Sequence, residues 1–172
     1  MMNIATESFG QVTLHDFINL SDSMMMRVLD MRNHPQVREQ MHNPELISKE
    51  NHLNFINSLK NSDKKYFVIE RQNKLVGTIS FTAFDTENCS AELGIYANLE
   101  EKTEKAGSIL MEAAFSFADK ILSLEKIVLE VYEVNQRAFR LYEKFGFTVT
   151  DRCEREGRAM VTMEYLLNPT AN

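Results

Sequence analysis

The chain's 172 residues suffice for one domain with a substantial core, and 44% hydrophobic and 26% charged residues describe an ordinary globular protein. A formal net charge of −6 argues against broad binding to nucleic acid or an anionic membrane, because those surfaces need a cationic face. No apolar run approaches the roughly 20 residues of a membrane span, and the first residues do not read as a basic segment followed by an apolar one.

Cys89 and Cys153 stand singly, without metal-ligand spacing, as expected of two reduced thiols in a cytoplasmic protein with no bound metal. No repeat or linker divides residues 1–168, which read as a single domain, and residues 169–172 read as a tail. In chain order, VTLHDFINL (12–20) alternates as a strand with Val12, Leu14 and Phe17 inward. Ser21 or Ser23 can cap the helix MMMRVLDMRN (24–33), which stops against Pro35. The corner Arg32-Asn33-His34-Pro35 has two readings: a helix end closed by its own residues, or polar groups projecting toward a ligand. Ser48 opens a further helix, SKENHLNFINSLK, whose apolar side is Leu53, Ile56 and Leu59, with His52 one step off that stripe.

KYFVIERQNKLVGTISFTAFD (65–85) reads as two strands joined in a hairpin at Gln72-Asn73-Lys74. The next strand, SAELGIYA (90–97), alternates Ala91, Leu93 and Ile95 with Glu92, Gly94 and Tyr96. A charged loop, NLEEKTEKAGS, leads into a helix whose stripe is Leu110, Ala113, Ala114, Phe117, Ala118 and Ile121. Amides at such a helix N-terminus attract anions. Another strand follows at 126–132. Asn135 then begins a helix ending at Gly146, and two closing strands turn at Glu156-Gly157.

Two of these stretches resemble the GNAT superfamily of acyl-CoA N-acyltransferases. The run Asn135-Gln136-Arg137-Ala138-Phe139-Arg140-Leu141-Tyr142-Glu143-Lys144-Phe145-Gly146-Phe147 is similar to the pattern N-x-x-A-x-x-L-Y-x-K-x-G-F without a mismatch. Lys102-Thr103-Glu104-Lys105-Ala106-Gly107 resembles the coenzyme A loop Gln/Arg-x-x-Gly-x-Gly/Ala, with Lys105 departing from the first glycine. The resemblance implies an α/β GNAT fold, a mixed and mostly antiparallel twisted sheet flanked by helices, and acetyl-CoA as donor. By the same resemblance, Lys102, Lys105, Ala106, Gly107 and Ser108 would hold the pyrophosphate. Leu93, Gly94, Ile95 and Tyr96 would grip the pantetheine arm and thioester, and Asn135 would lie on the cofactor side.

Expulsion of a thiolate calls for a proton donor, and Tyr142 matches the family's acid by position. The acceptor ammonium must lose a proton first. Glu92 and Glu130, acidic residues in otherwise apolar strands, are the candidates, and each has an alternative as an ordinary polar residue on an exposed face. MRNHP, the 47–70 stretch and LGIYAN are similar to the bacterial N-acetyltransferases of pseudaminic acid synthesis, which acetylate the 4-amino group of a UDP-linked amino-dideoxy sugar. That likeness implies substrate contacts from Arg32, Asn33, His34 and His52, with Ser80, Phe81 and Tyr96 nearby. Other amines, a protein N-terminus or a polyamine, and a non-catalytic coenzyme-binding module stay open. So does the oligomeric state, a homodimer included.

Overall fold

The computed structural model describes residues 1–167, so the expected domain end at 168 and the tail at 169–172 lie outside the described residues. The described strands are β1 (Met2–Thr6), β2 (Gly10–Asp16), β3 (Lys65–Arg71), β4 (Lys74–Asp85), β5 (Ser90–Ala97), β6 (Lys126–Tyr132), β7 (Thr148–Arg155) and β8 (Arg158–Leu166). They form one sheet in the order β1-β2-β3-β4-β5-β6-β8-β7. Only β5 and β6 run parallel among these neighbours. The helices are α1 (Asp22–Asn33), α2 (Pro35–Arg38), α3 (Lys49–Leu59), α4 (Ala106–Lys120) and α5 (Gln136–Lys144). Among the described residues no helix is long and apolar enough to cross a membrane.

Local chemistry sets most boundaries. Ser21 caps α1 and Ser48 caps α3, each accepting from the amide three residues on. Gln72 and Asn73 take φ of 51° and 60°, so the β3–β4 hairpin closes through a two-residue turn with both central residues left-handed. Glu156 and Gly157 turn β7 into β8 in the same way, with φ of 52° and 73°.

Apolar side chains cover both faces of the sheet. One face packs Phe67, Ile69, Ile79, Phe81 and Leu93 under the Ile109, Leu110, Ala113, Ala114, Phe117 and Ala118 stripe of α4. The other packs Val68 and Leu75 against Val28 and Met31 of α1 and Ile56 and Leu59 of α3. Burial on two faces explains why Phe67, Val68 and Ile69 are consecutive core residues, although the sequence reads as alternating.

Several expectations change. β1 was not foreseen: it pairs with β2 across the Thr6–Gly10 turn, where the Thr6 hydroxyl donates to the Gly10 carbonyl at 2.7 Å. The strand expected through residue 20 ends at Asp16, whose side chain caps a 3₁₀ turn over Phe17–Asn19. Pro35 does more than stop α1. It occupies the first turn of α2, where its missing N–H costs nothing. His52 belongs to the buried stripe of α3 with Ile56 and Leu59, whereas Ile121 is 49% exposed beyond the end of α4.

Phe81 is corrected as a substrate contact. Period two along β4 sends Ser80 toward the opposite face, leaving Phe81 fully buried with its ring 5.7 Å from that of Phe117. Replacing Phe81 by Ala should cost about 3–5 kcal/mol of stability in urea unfolding. A loss below about 1 kcal/mol would contradict its core placement.

Candidate active site

β5 and β6 share three registered pairs, Ser90↔Lys126, Ala91↔Ile127 and Glu92↔Val128, and then separate. Beyond that point β5 continues only against β4, and β6 only against β8. The fork opens into a cleft of about 1050 Å³. It is lined by β5, the starts of α4 and α5, the α2 region and the cleft-facing row of β4.

On the donor side, the loop before α4 is shaped by buried Asn98. Its Nδ2 donates to the Leu75 carbonyl at 3.0 Å, and its Oδ1 accepts from the Glu100 amide at 3.0 Å. Lys105 takes φ of 58° at the α4 N-cap and makes no side-chain cap bond. The position where the family pattern has glycine thus keeps the left-handed backbone that favours glycine, and a lysine supplies it. The Ala106 amide donates to the Thr103 carbonyl at 3.2 Å, whereas no side chain caps the helix start, and Lys105, Ala106, Gly107 and Ser108 all line the cleft. A Cβ at Gly107 would lie 2.8 Å from Leu141 Cδ2, so this glycine lets α5 close against α4. These features fit an anionic diphosphate. Lys102 is exposed and does not line the cleft, because the loop turns it outward before the helix begins.

The start of α5 is fixed by Asn135, whose Oδ1 accepts from the Ala138 amide at 3.1 Å. Asn135 therefore lines the cleft as a helix cap. Tyr142, 7% exposed, also lines it, and burial pushes its hydroxyl well above the usual phenol range. Arg137, Arg140 and Lys144 of the same helix reach the cleft as well. Sequence reasoning missed these three, although the helical period of the Asn135 motif puts cations there.

On the acceptor side, direct cross-strand pairs build a polar floor: Tyr66 opposite Ser80, Ser80 opposite Gly94, Thr78 opposite Tyr96 and Thr82 opposite Glu92. A Cβ at Gly94 would sit 2.6 Å from Ser80 Oγ, so glycine keeps this floor open. Burial pushes Tyr96 up to about 12, opposed by the Thr78 hydroxyl and the Arg32 charge. Burial, and then the charge of Glu92, raise Tyr66. Burial first, and the Glu130 charge second, push the Glu92 carboxyl above its ordinary range, with His42 and Arg155 partly opposing.

Glu130 is differently placed. It takes Arg155 Nη1 at 3.2 Å and faces His42 Nε2 at 3.4 Å. His42 Nδ1 lies 3.0 Å from the Tyr132 hydroxyl. His42, Tyr132 and Gln40 carry no local sequence signal, since segment 39–48 meets β6 only through the fold.

Of the corner residues, Arg32 reaches the cleft. Its Nη2 donates to the Asn43 carbonyl at 2.8 Å, while its Nη1 is buried without a hydrogen-bond partner among the described residues. Burial lowers its affinity for the proton, and the neighbouring Arg38 adds to that while Tyr96 opposes it. His52 lines the cleft with Nε2–H donating to the Met25 carbonyl at 3.0 Å, and burial lowers its pKa. Asn33 and His34 are corrected as substrate contacts. Asn33 clamps Ile47 through both its amide groups at 2.9 Å, and His34 Nδ1 accepts from the Gln36 amide as the cap of α2. Both line a separate surface hollow beside Asn98 and Glu101. No cluster of His, Cys, Asp or Glu among the described residues is arranged to hold a metal ion.

A model of the acetyltransferase (GNAT) family matches residues 26–147, and the chain belongs to that family. It is an N-acetyltransferase whose acyl donor is acetyl-coenzyme A. Acetyltransferase PseH of Campylobacter jejuni is 31% identical over 141 residues, which cover 81% of this chain and 87% of that protein. Its crystal structure in complex with acetyl coenzyme A has a TM-score of 0.68 at 25% identity, covering 88% of this chain and 96% of that one. Spermidine N-acetyltransferase from Vibrio cholerae, solved with CoA and spermine, has a TM-score of 0.78 at 22% identity, covering 91% and 95%. That likeness speaks for the fold alone.

The raised carboxyl of Glu92 has a consequence for stability. Its folded-state pKa lies above the unfolded value, so its contribution is fully present below the unfolded pKa and is lost as pH rises through the folded one. Glu92→Gln should therefore raise the Tm at neutral pH, with the difference shrinking on acidification toward the ordinary carboxylate range. Thermal melts across a pH series read this directly. An unchanged Tm at neutral pH would contradict the buried placement.

Proposed function

We propose that this enzyme acetylates the amino group of a UDP-linked 4-amino-dideoxy sugar of the kind used in pseudaminic acid synthesis. The observation that carries the reading is Arg32, a guanidinium in the acceptor half of the cleft with a buried, unpartnered Nη1. A guanidinium with one buried N–H group left unsatisfied favours an acceptor bearing phosphate or carbonyl oxygens and opposes a polyammonium. The likeness to Campylobacter jejuni PseH over most of both chains supports the same reading.

In the reaction, Glu92 removes a proton from the acceptor ammonium. Its raised pKa suits a base working near neutrality. Glu130, tied to Arg155, is the poorer candidate. Main-chain donors on the unpaired edge of β5 hold the thioester carbonyl as negative charge develops there. Tyr142 gives its proton to the departing sulfur. The burial that raises its pKa keeps it protonated until that moment. Lys105 and the Gly107 and Ser108 amides at the start of α4 bind the diphosphate of the donor.

One observation favours a polyamine instead: Glu39, Glu92 and Glu130 all line the cleft. Thiol release from acetyl-CoA, measured with the UDP-amino sugar, spermidine and a peptide N-terminus, separates the readings. The sugar is expected to have the highest kcat/KM. A preference for spermidine would overturn the proposal, and no release with any amine would favour a non-catalytic module. Arg32→Ala should raise the sugar KM by roughly tenfold, the loss of one charge-assisted hydrogen bond. Tyr142→Phe should lower kcat on the order of 100-fold while the acetyl-CoA KM changes little. An unchanged kcat would reject Tyr142 as the acid.

A further inference from the structure

Among the described residues the sheet ends in an uncovered strand. β7 is its outer member, paired with β8 alone, and it is exposed along its whole length. The outward backbone N–H and C=O groups of such an edge are a template for pairing, and proteins usually guard them with Lys, Pro or a bulge. β7 contains neither Lys nor Pro, and its bulge lies between Val149 and Asp151, before the charged stretch. In that stretch, Asp151-Arg152-Cys153-Glu154-Arg155, both signs of charge are interleaved.

We propose that β7 pairs edge to edge with β7 of a second copy of this chain, antiparallel and centred on Cys153, so that the two sheets join about a symmetry axis. The order of the charges carries the inference. With Cys153 at the centre, each Asp151 faces the partner's Arg155 and each Arg152 faces the partner's Glu154, so every charge of the stretch meets its opposite. Neighbouring registers fail. The tight turn at Glu156-Gly157 makes Arg155 and Arg158 a hydrogen-bonded pair, and alternation along the strand then aims the backbone groups of Arg152 and Glu154 outward. A slide that keeps those outward bonds moves the centre to Arg152 or to Glu154. It sets Arg152 against the partner's Arg152, or Glu154 against the partner's Glu154.

The side chains have the capacity for these contacts. Asp151 and Glu154 have no side-chain partner among the described residues. Arg152 pairs with Glu133, and Arg155 Nη1 donates to Glu130 Oε2 at 3.2 Å, yet a guanidinium carries further N–H donors and can hold a second carboxylate. Their side chains are 58% and 48% exposed, so neither is enclosed by its own chain. Period two puts Asp151, Cys153 and Arg155 on the sheet face of Glu130 and Tyr132, and Arg152 and Glu154 on the other, so both faces of the joined strands contribute an ion pair. Arg155 also faces His42 Nε2 at 3.4 Å, and His42 and Glu130 line the cleft. The partner's Asp151 therefore comes to the acceptor-side rim, and each active site borders the interface.

Analytical ultracentrifugation of the full chain over a concentration series tests this. A pairing confined to one strand edge belongs to the small, transient class of interfaces, so the dimer should dissociate with a Kd on the order of 10 μM, under reductant and in Cys153→Ser alike. Glu154→Arg breaks no side-chain contact within the chain and sets like charges against each other, so it should weaken the dimer roughly tenfold. Combining it with Arg152→Glu restores opposite charges and should restore the dimer. In the Cys89→Ser protein the oxidant diamide should link two chains through Cys153, since directly opposed residues of a non-hydrogen-bonded pair have Cα atoms about 4.5 Å apart, within disulfide reach. A chain that stays monomeric at about 1 mM, a dimer that Glu154→Arg leaves intact, a charge-swapped double variant that stays monomeric, or a dimer that diamide does not cross-link would each overturn the interface. None of these readouts involves an acceptor amine, so the proposed reaction stands or falls separately.

Discussion

Two parallel strands that pair for three residues and then part are the constraint on which the site depends. Ser90–Glu92 of β5 is registered with Lys126–Val128 of β6, and past that point each strand keeps only its outer neighbour. Backbone donors and acceptors freed by the fork cannot stay buried without partners, so the gap is a place for polar ligands by default. Both helices that line the donor side begin beside it. α4 leads with a left-handed Lys105 and α5 with the Asn135 cap. The sheet's mixed topology is thus the source of the cleft.

Burial then does opposite jobs on two side chains. It raises the pKa of Glu92 and that of Tyr142, because both lose their charged form when desolvated. For a carboxyl, a raised pKa brings the group nearer to neutrality and makes it a better base. For a phenol, it moves the group further from neutrality and preserves a donor. In the proposed reaction, one physical effect acting on different reference values separates the base from the acid. Glu130 lies on the strand beside Glu92, yet Arg155 and His42 both face its Oε2, and its negative charge adds to the burial that raises Glu92.

Family membership and acceptor choice are separate questions, although the family match over residues 26–147 includes the segment between α1 and α3. The fold is shared with a spermidine N-acetyltransferase at a higher TM-score than with PseH, while sequence identity to PseH is the greater. A fold hosts sites and does not choose among acceptors. Under the proposed function, the choice falls to the segment between α1 and α3. Arg38 bonds to the Asn33 and Pro44 carbonyls, and Asn33 and Arg32 bond to Ile47 and Asn43, so that segment is tied down over the cleft. Asn33 and Arg38 hold the wall, and Arg32 alone of the MRNHP corner turns a free nitrogen inward.

Much of this was legible in the chain because the relevant interactions are local. The caps at Ser21, Ser48 and Asn135, the hairpin at Gln72-Asn73, the alternation that puts Glu92, Gly94 and Tyr96 on one face, and the helix carrying Tyr142 all depend on residues within a few positions of each other. The placement of β1 and the switch of His52 into the core were not legible, since both depend on what packs against them. Phe81 and Ser80 are adjacent in sequence and fall on opposite faces, and only the covering of the sheet by α4 told which face was the site. His42 meets Tyr132 across 90 residues and Arg155 across 113. The amino-acid order determined the elements and the family chemistry by short-range spacing. The tertiary structure alone decided which polar groups share the cleft, because pairing across the fork and desolvation within it are properties of the packed sheet.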